Sequence, residues 1–241
     1  MLFSKRVQNQ DSAKRLIPCP HTDDQTHNHR EEYHTFAVGH LAAGYLTGKA
    51  TSKLLNVNVS IPLLFVVSTI PDIDLLIPVL QHRGPTHSLL IISLLFLPIF
   101  MVYGKRVTPY FSATILHSIG DYFIGGTVQL WWPSTIHWYG VGINAISLSA
   151  VLTEWTFFLT SLTLMLKAND VRILFQHHPT NLLLAIPLFT VLLPSLFSFP
   201  LSVPVALIIP HIILLAFFAI PILIDIEHIL RHHLRFTSTS T

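Results

Sequence analysis

An all-α bundle of about six to seven transmembrane helices is the fold this sequence predicts, and three observations carry the prediction. Only 11% of the 241 residues are charged while 51% are hydrophobic, with mean hydropathy +0.58, a balance that soluble domains rarely show. Apolar stretches recur at 36–48, 57–80, 88–103, 109–126, 145–166, 181–198 and 201–225. Gly104, Pro109, Gly125, Gly126, Pro179 and Pro200 punctuate their ends, as loops between helices require. The single cysteine, Cys19, excludes an intrachain disulfide framework and any multi-cysteine zinc site. A formal charge of +2 without a basic stripe argues against nucleic acid as a partner.

Taken in order, residues 1–34 are polar and lack the apolar run of a secretory signal, so they predict a disordered extension. Its His21, His27 and His29 are read as part of a solvated tail rather than a metal site. A span needs roughly 20 apolar residues. The stretches 57–80, 145–166 and 201–225 meet that length, while 88–103 and 181–198 are short. Those at 36–48 and 109–126 are short and carry polar residues, so they need protein or bound metal around them.

If all seven cross, Lys49, Lys53, Lys105, Arg106, Lys167, Arg172, Arg231 and Arg235 share one side. The positive-inside rule makes that side cytoplasmic. Among the loops of the other side only Arg83 is basic, although the tail, with Lys5, Arg6, Lys14, Arg15 and Arg30, then lies outside. If 36–48 rests in the interface instead, six spans remain and the tail returns inside. The seven-pass arrangement brings the chain's unusual polar residues to one depth near the outer boundary. The chain divides into the extension (1–34), a metal-binding core with membrane helices (35–135) and additional transmembrane helices (136–241).

Those polar residues carry the chemistry. The segment "PDIDLLIPVLQHRGPTHSLL" (71–90) sets Asp72, Asp74, His82 and His87 among apolar neighbours. Burying them is costly unless something pairs with them. Two carboxylates two residues apart exceed what a helix cap needs, and they resist joint ionisation without a cation nearby. "HRGPTHS" brackets a Gly-Pro turn with two histidines, and Thr86 or Ser88 is placed to cap a helix beginning near Leu89. Arg83 can pair bidentately with a phosphate or a carboxylate. In "HSIGD", His117 and Asp121 lie four apart on one helical face, suited either to two metal ligands or to a His–Asp bond between helices. With His40 the set is imidazole and carboxylate without thiolate, a donor set for Zn²⁺, Mn²⁺ or Fe²⁺ in a catalytic rather than a closed structural site.

The remaining polar residues divide differently. Glu154 is open between a further ligand and a structural partner to a Thr or Trp. His137 is open between a substrate contact and an interfacial residue, within an aromatic belt of Trp131, Trp132, Trp138 and Tyr139. His211 reads as a satisfied core histidine. Asp225, Glu227, His228, His232 and His233 read as a solvated helix end.

At "GHLAAGYLTG" (His40), "PDID", "HRGPTHS", "HSIGD", Gly126 and "WWP" (Trp132, Pro133) the chain resembles the YdjM-like family of membrane-bound metal-dependent hydrolases of bacteria and archaea. The likeness covers about residues 35–135. PDID with HRGPTHS is the specific part of it. That family is distantly similar to zinc-dependent phospholipase C and related single-strand nucleases, which are all-helical and bind zinc through His/Asp clusters. The resemblance implies that His40, Asp72 or Asp74, His87, His117 and Asp121 are metal ligands. Those relatives also use a later His-x-x-x-Glu pair, which this chain lacks after the core: the position four before Glu154 is Ala150. One or two metals are therefore expected rather than three.

The expected function is a multi-pass hydrolase of a prokaryotic cytoplasmic membrane with a divalent transition metal, zinc foremost. His40, Asp72, Asp74, His82, His87, His117 and Asp121 are its candidate ligands. Asp74 or Asp121 is the expected base and Arg83 the anion-binding group. Membrane lipids are the expected partners, and a phosphoester, either a small molecule or a lipid headgroup, is the expected substrate. The rivals are a metal or proton transporter, for which intramembrane His and Asp also serve, and a membrane scaffold stapled by a metal. No His-Glu-x-x-His protease motif is present. The Pro-Ser-Gly-His signature of phosphatidate-phosphatase-type enzymes is also missing.

Overall fold

The computed structural model describes residues 37–77, 79–197 and 203–238, with side chains described as far as Arg231. Every element in it is helical; among the described residues there is no strand, only two isolated bridges, Val128 to Tyr139 and Ile124 to Ile143. Eight helices follow in chain order. They are α1 (Ala37–Leu55), α2 (Ile61–Val67), α3 (Leu89–Tyr103), α4 (Thr108–Phe123), α5 (Leu148–Lys167), α6 (Asp170–Leu174), α7 (Pro179–Phe197) and α8 (Ile208–Ser238). Four stretches are long and apolar enough to cross a membrane: Leu89–Phe123, Leu148–Lys167, Pro179–Phe197 and Val205–Arg231.

The first of these does not run as one rod. Gly104 has φ +56 and opens a 3-10 turn, Gly104–Val107. The Phe111 ring lies 5.3 Å from that of Phe96 and 5.5 Å from that of Phe100. Residues 96 and 111 would stand about 22 Å apart on a straight helix, so α3 and α4 form an antiparallel hairpin. Ser88 caps α3, accepting from the Ile91 N–H at 3.4 Å, as the turn residues predict.

The stretch 57–80 departs from its expectation. It is not a span, because α2 stops after seven residues. The Ser68 hydroxyl donates to the Phe65 carbonyl at 2.8 Å and that of Thr69 to Val66 at 3.0 Å. Pro71 then has no N–H to continue the ladder. The chain turns instead into a 3-10 segment, Ile70–Leu76, which carries both aspartates of PDID.

Helix α1 is the centre of the bundle, buried along most of its length and packed against α2, α4, α5 and α8. Glycines allow the approach: a methyl at Gly44 would collide with Ser68 Cβ, and one at Gly48 with the Leu64 side chain. Leu41, Tyr45, Leu64, Phe65, Phe158 and Phe218 form the surrounding core. The α1 stretch is thus surrounded by protein, as its polarity requires.

The polar residues separate to two ends. In α1, His40 stands near the start and Lys49 and Lys53 near the finish. In α4, Asp121 ends a helix that begins just after Lys105 and Arg106; in α5, Glu154 precedes Lys167. The basic ends meet, with the Lys105 ammonium donating to the Leu55 carbonyl at 3.4 Å and Lys49 Nζ 2.8 Å from Asp170 Oδ2. Asp170 also accepts from the Tyr45 hydroxyl at 2.7 Å, a buried tie between α1 and α6.

Candidate metal centre

Four buried side chains from three segments converge at the other end. Asp72 comes from the 3-10 turn, His87 from the short 3-10 turn Pro85–His87, and His117 and Asp121 from the last turns of α4. Their exposures run from 0 to 4%, so water does not solvate the charges. His87 Nε2 is 3.2 Å from His117 Nε2, 3.5 Å from Asp72 Oδ1 and 3.0 Å from Asp121 Oδ2. His117 Nε2 is 3.3 Å from Asp72 Oδ1 and 3.4 Å from Asp121 Oδ2.

Five of the six separations among these four donors, 3.0–3.5 Å, lie near the edges of a metal's coordination tetrahedron. Zinc bonds of about 2.0–2.1 Å to N and O imply ligand-to-ligand edges of about 3.3–3.4 Å. Asp121 Oδ2 supplies a second sign. Two imidazole nitrogens lie within 3.4 Å of it, yet it is buried and makes no hydrogen bond. The two Nε2 atoms are instead within hydrogen-bonding distance of each other, at 3.2 Å, which leaves that oxygen as a donor atom without a partner. The donor set therefore fits a divalent cation.

Each imidazole is turned so that Nε2 faces this centre. His117 Nδ1–H donates to the Ser68 carbonyl at 2.6 Å, which fixes the tautomer so that Nε2 of the neutral ring carries the lone pair. His87 Nδ1 faces Asp74 Oδ2 at 3.3 Å, the carboxylate–imidazole–metal arrangement. Asp74 is itself engaged: Oδ2 accepts from the Thr86 hydroxyl at 2.7 Å and the Arg83 N–H at 3.1 Å, and Oδ1 faces His82 Nδ1 at 3.0 Å. Burial pushes the Asp74 carboxyl up, but the bonds from His82 and His87 outweigh it and hold the group below the usual carboxylate range. Asp74, His82 and His87 form a second group of ligand atoms close enough to hold an ion. It shares His87 with the first.

His40 stacks on His117 with ring centroids 3.7 Å apart and places Nε2 3.3 Å from Asp121 Oδ1. Arg83 reaches the same oxygen with Nη2 at 3.1 Å and donates through Nη1 to the Gly125 carbonyl. Its guanidinium lies in a cradle where a Cβ at Gly125 or Gly126 would come within 2.6 Å of it. Both glycines have positive φ, +93 and +144, so nothing but glycine fits there without strain.

All seven candidate ligands and Arg83 come together at this end, whereas other polar residues do not join them. Glu154 Oε2 accepts from the Gly39 N–H at 3.2 Å and so tends the positive end of α1. His211 is buried against the Leu192 carbonyl at 2.8 Å, a satisfied core histidine. His137 is exposed in the loop after α4. Asp225 corrects its expectation of a solvated helix end: it is 0% exposed, 2.7 Å from His177 Nδ1 and accepting from the His178 N–H at 3.0 Å. Helix α8 continues past it, so the position is interior to the element. His21, His27 and His29 lie outside the described residues, as do the side chains of His232 and His233. Sequence reading missed the Ser68 carbonyl and the Gly125–Gly126 cradle; the adjacent glycine pair was the available signal for the latter.

No curated protein and no solved structure matches the chain. The model of one family, the YdjM inner membrane protein, matches residues 35–203, more than half of the chain and well beyond the motifs around the His/Asp cluster. The chain belongs to the YdjM inner membrane protein family.

Proposed function

We propose that this protein is a membrane-bound, metal-dependent hydrolase, with Asp72, His87, His117 and Asp121 holding a divalent transition metal, zinc foremost. The observation that carries the reading is the 3.0–3.5 Å spacing among four buried donor atoms, one of which, Asp121 Oδ2, has no hydrogen-bond partner. Such an ion, when bound, polarises an ester and lowers the pKa of water toward ~7. Imidazole and carboxylate donors without thiolate favour that chemistry over a purely structural ion.

The chain's own residues take the other roles. Asp74, saturated by Thr86, Arg83 and His82, orients His87 rather than accepting the proton from water. His82, with 24% of its side chain exposed and Nδ1 on Asp74, is the residue at the edge of the cluster suited to carry that proton. Arg83 holds Asp121 in place and sets positive charge beside the cluster, which favours a phosphoester over a neutral ester or amide. The polar groups gather at one end rather than along a path, which weighs against a transporter. The multi-pass arrangement, in a prokaryotic cytoplasmic membrane, has the Lys49/Lys105 end inside by the positive-inside rule.

Metal content by mass spectrometry on detergent-purified protein tests the reading, with wild type beside Asp121→Asn and His87→Ala. One or two tightly held ions in wild type, lost in variants that remain folded, are expected, followed by hydrolysis of a phosphoester in a substrate panel. No metal after reconstitution with Zn²⁺ or Mn²⁺ sinks the proposal.

A further inference from the structure

Both segments that frame the metal centre are amphipathic in an unusual sense: one face is charged and buried, the other apolar and bare. In the 3-10 turn Asp72 and Asp74 point inward, while Ile73 is 43% and Leu76 54% exposed, with Val79 just beyond at 89%. The loop after α4 repeats the pattern. It folds back on the site, the Gln129 N–H donating to the Arg83 carbonyl at 3.0 Å and the Val141 N–H to that of Tyr122 at 2.7 Å. Yet Ile136 is 74%, Trp138 37% and Val141 54% exposed. Apolar exposure on this scale marks an interaction surface.

The bilayer is the occupant that fits. The loop after α4 is tied to the start of α3, the Leu89 N–H donating to the Leu130 carbonyl at 2.9 Å, and α3 is itself bare and apolar, with Leu94 and Leu95 each 62% exposed. Tryptophan beside aliphatic residues at a helix end is the composition of a membrane boundary. The four proposed ligands are at most 4% exposed, and the partly exposed neighbours are His82 and Arg83, in the loop that Val79 begins. A ligand that approaches past them crosses the apolar rim. Arg83, whose buried Nε has no acceptor, brings positive charge there.

We propose that the two rims, around Ile73–Val79 and Ile136–Val141, seat the metal end in the headgroup layer, and that the centre takes an amphiphile with an anionic headgroup from the lipid phase rather than a water-borne solute. The choice of ligand rests on the hydrolase reading above; the seating of the rims does not.

Two measurements on the full chain in vesicles separate these. Trp138 retained as the single tryptophan, and Ile73→Trp in a tryptophan-free background, are read by quenching with lipids brominated high on the acyl chain and with aqueous iodide. A thermal unfolding midpoint in detergent within a few degrees of wild type establishes that both variants still fold. Lipid quenching at least about twofold stronger than iodide quenching at both positions is expected for residues at the interface. Stronger iodide quenching at both overturns the seating, and with it the lipid route. The metal-loaded wild type is then given a long-chain anionic phospholipid in vesicles and the water-soluble glycerophosphodiester with the same headgroup. A preference of about tenfold or more for the long-chain form is expected, since the chains supply remote binding energy. Equal rates, or turnover of the soluble form alone, overturn the lipid ligand and leave the hydrolase reading intact. Turnover of neither overturns the hydrolase reading and the lipid ligand together, while quenching still decides the seating.

Discussion

In the candidate metal centre, neighbouring carboxylates of one motif make different contacts. Asp72 faces the two Nε2 atoms, whereas Asp74 accepts from Thr86, Arg83 and His82 and orients His87 from behind. Removing a ligand and removing an orienting group then differ in size. Asp72→Asn is expected to abolish stoichiometric metal. Asp74→Asn should weaken binding by about 10–100-fold and leave the stoichiometry intact at saturating metal. Titration against a chelator of known affinity measures both, and equal losses would place Asp74 among the ligands. Arg83→Met removes the guanidinium that pairs with Asp121 Oδ1 and fills the Gly125–Gly126 cradle. It should lower metal affinity, and Arg83→Lys should not restore it, because one ammonium cannot reach Asp121 and the Gly125 carbonyl together. The i, i+4 spacing of His117 and Asp121 was legible because helical periodicity is local. The partners that assign roles, Ser68 at His117 and Asp74 at His87, lie 49 and 13 residues away in the chain and were not.

Helix α1 shows how an element's neighbours decide its role. Its stretch is neither the longest nor the most apolar, yet it occupies the centre of the bundle because Gly44 and Gly48 admit α2 at close range. Gly44→Leu forces a side chain into Ser68, whose carbonyl orients His117. A destabilisation of about 1–3 kcal/mol, the usual range for overpacking, is expected from thermal unfolding in detergent, together with weaker metal retention. An unchanged melting temperature would mean that α2 can move away without loss. The break after α2 is the element that apolarity concealed. Composition alone predicts a span through 57–80, but Ser68, Thr69 and Pro71 end the helix and set PDID in a turn.

Across the whole molecule, the two ends carry opposite chemistry. The buried His/Asp cluster occupies one, and Lys49, Lys53, Lys105, Arg106 and Lys167 the other. Single cysteines at Lys105 and Ser134, which is exposed in the loop after α4 and outside the apolar rim, are expected in a Cys19→Ser background to react with a membrane-impermeant maleimide from opposite sides, position 105 from the cytoplasm. Labelling of both from one side would refute a bundle that spans between its ends. By itself, the sequence determined the helical class, the apolar stretches and the residues rich enough in charge to matter, because periodicity, hydropathy and donor chemistry are local properties. Only the tertiary structure decided that the second stretch is broken, that Asp225 is interior and that four donors stand 3.0–3.5 Å apart. Those are relations between distant residues, and they exist only once α1 is packed among α2, α4 and α5.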